Sequence, residues 1–245
     1  MQNFNDCLDR QIELINEKEK ISLEDAVYLL SFKNMYDATG EKKFLDAVVK
    51  ACDKCIDGEG NLTTDNRDLG RILFYSYDKT KEDKYHIGFD NLMVEVKKID
   101  MASFNAKEQL LSMPFLMGFT SRFEKKEHYI DIASFLESYN PKDDELDIYL
   151  CTLVDTIGVM SMEIYEHYRK LQDLYRVNLK RLINSGKELS FYAYYSLLKA
   201  INLNLVLKDK YKDFAMQGFI KKSVNVDDAI LGSAYSHYLI ASKED

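Results

Sequence analysis

Apolar residues recur every three to four positions along most of the chain, the spacing that predicts helices with one covered face. Two kinds of run alternate. One is strongly amphipathic and rich in Lys, Glu and Asp, over residues 3–17, 41–56, 82–98, 126–138, 167–183 and 208–223. The other is more apolar, with small and polar residues mixed in, over 22–39, 64–79, 106–122, 147–166, 189–206 and 226–241. A helix apolar on most sides must be covered on most sides, so the second series is expected inside and the first outside. Short charged turns separate them, each followed by an aromatic that opens the next run. These aromatics are Phe44, Tyr85, Tyr129 and Tyr211, at spacings of 41, 44 and 82 residues. The last spacing is twice the first, which predicts a degenerate copy at Tyr168-Arg169-Lys170-Leu171.

Six such periods fill the 245 residues. The fold expected is therefore all-α: six helical hairpins closed into an (α/α)6 barrel, a six-hairpin toroid forming a single domain over 1–245. A period near 40 also fits an open helical solenoid of the HEAT type. A solenoid needs a polar capping helix at each end, and the last run, Ala229 to Tyr235, is apolar and small on several sides. That favours closure against the first hairpin. With 10 glycines and 2 prolines, the chain lacks the turn residues of an all-β fold. Ser22 and Asp25 resemble a capping box, Asn225 and Asp227 can cap the last helix, and residues 57–61 read as a turn. Pro114, inside an apolar run, predicts a kink or a helix start.

Charge then narrows the function classes. Lys and Arg number 33 against 41 Asp and Glu, a net charge of −8, so the footprint of a nucleic-acid binder is missing. An anionic small molecule remains possible, because a local pocket can be basic. No basic leader precedes an apolar core, and no apolar run is long enough to span a membrane, so a cytoplasmic location is expected. Cys52 and Cys55 form a C-x-x-C inside a helical run, with no second pair and no nearby His; with Cys7 and Cys151 they read as reduced structural thiols. His86, His128, His167 and His237 are scattered without metal-ligand spacing, and neither a metal nor a cofactor is expected. Nothing in the pattern sets an oligomeric state.

Three segments resemble a known family. Asp68-Leu69-Gly70-Arg71 looks like an Asp-Leu-Gly motif at the start of an inner helix. Glu108-Gln109-Leu110-Leu111-Ser112-Met113-Pro114-Phe115-Leu116 resembles an Asp-x-Met-Met-Asn-Leu-Pro-Leu-Leu pattern. Leu231-Gly232-Ser233-Ala234-Tyr235, running on to Glu244, is similar to a Gly-x-Gly-Ala-Tyr ending. Beside these three, residues 188–194 are also similar to a Ser/Ala-rich inner helix. The family is that of the unsaturated glucuronyl and unsaturated rhamnogalacturonyl hydrolases, glycoside hydrolase families 88 and 105, and the likeness runs from about residue 22 to the end.

The resemblance implies removal of an unsaturated uronic acid from a short oligosaccharide by acid-catalysed hydration of its enol ether. One carboxyl group protonates the double bond and helps activate water, while a second carboxylate positions sugar or water. In the Asp-Leu-Gly register these are Glu108, with Glu for the family's Asp, and Asp68. In the register of the rhamnogalacturonyl branch the equivalent positions are Lys107 and Asp65, and a lysine cannot perform that proton transfer. The family's tryptophan-rich rim has no counterpart in a chain without tryptophan. Stacking on a sugar face would pass to Tyr75, Tyr192, Tyr194 and Tyr195. The family's Arg-Gly-Gln/Asn-x-Trp segment should fall near Ile148 to Ile157, which lacks the Arg, Gly and Trp. The chain is also expected to be shorter than such enzymes, the loss falling in loops that carry binding residues. Weak hydration activity is one expectation; a non-catalytic (α/α)6 module that binds a glycan or a protein is the other.

Overall fold

A computed structural model describes residues 2–63, 69–98, 106–123, 126–223 and 227–243, without the side chains of some helix-end residues such as Lys107 and Glu108. Among the described residues there are twelve α-helices: α1 (Gln2–Glu17), α2 (Leu23–Thr39), α3 (Lys42–Cys55), α4 (Gly70–Thr80), α5 (Asp83–Lys98), α6 (Ala106–Phe123), α7 (Lys126–Ser138), α8 (Leu146–Ile157), α9 (Tyr165–Asn184), α10 (Phe191–Asn202), α11 (Lys208–Lys222) and α12 (Leu231–Lys243). The one extended pairing among them is an isolated antiparallel bridge, Ile56 to Leu62, which closes the turn at 57–61. The chain divides into two compact units, residues 1–100 with 220–245, and residues 101–219.

The turns between inner and outer helices repeat in detail. Gly40 ends α2 at φ +74°, and its N–H donates to the Tyr36 carbonyl. Lys81 ends α4 at φ +62°, and its N–H donates to the Tyr77 carbonyl. Asn204, after α10, stands at φ +56°. A left-handed residue satisfies the orphan carbonyls of the last helical turn and sends the chain back antiparallel. The expected capping box at Ser22 and Asp25 is present, with the Ser22 hydroxyl accepting from the Asp25 N–H and the Asp25 carboxylate from the Ser22 N–H.

In the first unit α2 is the central helix and packs on α3, α4 and α12. The α12 contact is close because its residues are small. The Ser31 hydroxyl sits 3.2 Å from that of Ser233, and Asn34 Nδ2 donates to Ser233 Oγ at 2.9 Å. The Phe4 ring stacks on Tyr235 with centroids 4.5 Å apart. Gln11 donates to Asp227, and Lys54 Nζ donates to the carbonyls of Ile15 and Asn16 in the last turn of α1 and of Lys18 just beyond it. The last helix thus closes on the first hairpin, the arrangement its apolar composition required and an open solenoid would lack. Asp227 serves this contact, while Asp228 accepts from the Ile230 N–H ahead of α12. Asn225 lies outside the described residues.

In the second unit α8 is central and packs on α6, α9 and α10, while α7 packs on α6 and α9. Every residue of α8 from Tyr149 to Ile157 is buried. The apolar run suggests a helix to 166, yet α8 ends at Ile157. Gly158 carries the chain out, and the Ser161 hydroxyl accepts from the Glu163 N–H to start a 3-10 turn, Met162–Ile164, ahead of α9. The run expected over 167–183 is α9, which starts at Tyr165, and the turn before it lies at 158–161.

All four cysteines are free, buried thiols. Cys52 Sγ lies 3.2 Å from the Ser76 hydroxyl, and Cys55 Sγ donates to the Ala51 carbonyl. Burial pushes the Cys55 thiol up to about 12 and the Cys7 thiol, with help from Asp227, up to about 11. Such thiols stay protonated and unreactive. Among the described residues no single helix is long and apolar enough to cross a membrane.

Candidate functional site

The inner helices carry the polar chemistry. Asp68 and Asp65 lie outside the described residues. Lys107 and Glu108 stand in the first described turn of α6 (Ala106–Phe123). Pro114 lies inside α6 and does not start it. A proline has no N–H, so the carbonyl four residues back, that of Leu110, has no helical donor. The Thr152 hydroxyl on α8 donates to that carbonyl at 3.0 Å. Both residues are buried, at 0% exposure for Leu110 and 2% for Thr152.

The four tyrosines occupy different environments. Tyr75 on α4 is buried and donates to Asp37 Oδ1 at 2.8 Å. Lys33 and Lys79 each hold an ammonium 5.0 Å from its ring centroid and pair with Asp37. Burial alone would raise the Asp37 carboxyl, but Lys33, the Tyr75 hydroxyl and Lys79 outweigh it and hold the group below the usual carboxylate range. Burial and the bond to Asp37 push the Tyr75 phenol up. Tyr194 on α10 is buried against Phe219 and Gly218, where its ring fills the space a side chain would need. Tyr192 is half-buried, and its carbonyl accepts from Cys151 Sγ at 3.0 Å.

Tyr195 belongs to a buried ionic cluster that the sequence reading did not single out. Its hydroxyl donates to Asp155 Oδ1 at 2.6 Å, Lys199 Nζ donates to the same oxygen at 2.6 Å, and Lys199 Nζ lies 3.2 Å from the Tyr195 hydroxyl. Asp155 is on α8; Tyr195 and Lys199 are one turn apart on α10. The signal was available: Asp155 and Lys199 are charged residues inside two otherwise apolar inner runs about one repeat apart. Asp155 and Thr152 thus bond within the protein on α8, the helix that stands where the Arg-Gly-Trp segment was expected.

Residues 1–108 match the model of Glycosyl Hydrolase Family 88. The matched stretch includes Asp65, Asp68 and Lys107 and ends at Glu108. A solved structure, a glycoside hydrolase of family 105 from C. acetobutylicum ATCC 824, superposes with a TM-score of 0.76 at 14% identity, over 98% of this chain and 98% of that one. The resemblance to families 88 and 105 therefore holds in the sequence of the first part and in the fold of nearly the whole chain. The fold is all-α, of the (α/α)6 class. Equal coverage means that, beside this neighbour, the chain is not shortened, which corrects the expectation of lost loops. No curated protein sequence matches.

Proposed function

We propose that the chain is a glycoside hydrolase that hydrates the enol ether of a terminal unsaturated uronic acid on a short oligosaccharide. The observation that supports it is the family match over residues 1–108, which takes in both expected carboxylates. Glu108 is the acid: its proton goes to one carbon of the double bond, and the hydroxyl of water goes to the carbon that bears oxygen. The water's remaining proton returns to a carboxylate; the hemiketal so formed opens the ring to a ketone, and the hemiacetal this leaves at the anomeric carbon breaks down to an aldehyde and the released neighbouring sugar. Asp68 orients the sugar or the water. Turnover is expected to be slow, because a Glu in place of Asp moves the carboxyl by about one bond length, and a misplacement of ~1 Å costs up to ~100-fold in rate.

One observation favours a second reading, a non-catalytic module that binds glycans or proteins. Buried α8 occupies the stretch where the family's substrate-holding Arg-Gly segment was expected, and its Asp155 and Thr152 bond within the protein. One assay separates the two. Unsaturated oligouronides lose their ultraviolet absorbance when hydrated, so a protein-dependent fall in absorbance, lost in Glu108→Gln, supports the enzyme. Calorimetric binding of the same oligosaccharide without any fall supports the module.

A further inference from the structure

We infer that Thr152 is a positioning residue for Glu108: its hydroxyl takes up the Leu110 carbonyl that Pro114 leaves without a helical donor, and so ties the opening turns of α6 to α8. The inference rests on the reading of Glu108 as the acid. Three observations carry it. Pro114 sits four residues after Leu110 within one helix. The Thr152 hydroxyl donates to the freed carbonyl at 3.0 Å, with both residues buried where water cannot substitute. Glu108 lies two residues before Leu110 on the same helix, less than one turn away.

A proline inside a helix removes one rung and loosens the segment before it. In α6 that segment contains the residue whose placement decides proton transfer. A hydroxyl from the neighbouring helix replaces the missing rung with a bond between helices. The loosened end is thereby fixed relative to α8 rather than only to the rest of α6.

The test uses the whole chain as wild type, Thr152→Val, Thr152→Ser, Pro114→Ala and the Thr152→Val/Pro114→Ala double variant. Two readouts are taken: kcat and KM for an unsaturated oligouronide, and amide hydrogen exchange of residues 110–113, whose helical acceptors are the carbonyls of residues 106–109. Thr152→Val is expected to exchange these amides about tenfold faster and to lower kcat by about tenfold or more, with KM nearly unchanged. Thr152→Ser keeps the hydroxyl and should restore both. In the Pro114→Ala background position 114 has its own N–H, so adding Thr152→Val should no longer speed exchange. Unchanged exchange and kcat in Thr152→Val overturn the inference, as does an equal effect with and without Pro114. A wild type that shows the exchange pattern but no turnover refutes the hydrolase reading and, with it, the catalytic purpose given to Thr152, leaving only a helix tie.

Discussion

At the scale of single residues, the ionic groups that matter most are those without water around them. Asp155 is 3% exposed and shares one oxygen with Lys199 and the Tyr195 hydroxyl. Lys199 supplies a cation 2.6 Å from the buried Asp155 carboxylate, so Lys199→Met should cost about 3 kcal/mol in urea unfolding. Adding Asp155→Leu to it should recover part of that loss, and a double variant less stable than Lys199→Met alone would contradict the account. Asp25 behaves differently. Burial works to raise its carboxyl, but the bonds from Lys18 and from the Ser22 backbone and hydroxyl prevail and lower it. A carboxyl depressed by folding stabilises at pH above its unfolded value, about 4, and that contribution disappears as pH falls through the folded value. Wild type should therefore lose more stability than Asp25→Asn on going from neutral pH to below pH ~4. Parallel acid limbs in the two titrations would show that Asp25 contributes nothing to them.

At the scale of elements, two glycines separate backbone strain from packing. Gly40 has nothing within 4 Å of where a Cβ would stand, yet lies at φ +74°. Gly40→Ala should cost about 1 kcal/mol through conformation alone. Gly232, in α12, has an ordinary helical conformation, but a Cβ there would lie 2.9 Å from Ser31 Cβ and 3.0 Å from Leu8 Cδ2. Gly232→Ala should cost about 1–3 kcal/mol, because α12 must back away from α2. Thermal melts of the two variants check both values, and a Gly232→Ala as stable as wild type would mean that α12 shifts freely. The sequence made these elements legible where polarity marks the ends, as at Gly40 and Lys81. It failed at the end of α8, because Val159 and Met160 prolong the apolar pattern and only Gly158 and Ser161 mark the break. The buried cluster of Asp155 and Lys199 escaped for a related reason. Helical periodicity shows which face is covered, but not which residues forty positions apart meet beneath it.

At the scale of the whole molecule, the repeat spaces the candidate carboxylates Asp68 and Glu108 about one period apart along the chain. The fold was legible because a period of about 41 residues leaves few ways to cover an apolar helix series, and the likeness to a family 105 hydrolase extends over 98% of the chain. For the site the sequence offers only a choice of register, since Lys107 and Glu108 are adjacent. The two registers differ in outcome. If Glu108 is the acid, Glu108→Gln abolishes the loss of ultraviolet absorbance while Lys107→Met leaves it within about twofold, and the melting temperature of both stays near wild type because first-turn side chains contribute little to stability, about 0.3–1 kcal/mol through the helix dipole. Asp68→Asn should then impair turnover and Asp65→Asn should not. If the other register holds, position 107 presents an ammonium to the double bond, no carboxyl is placed to donate, and wild type itself should show no turnover. An active wild type whose rate survives Glu108→Gln would remove Glu108 from the mechanism, and the acid would have to be sought on another inner helix.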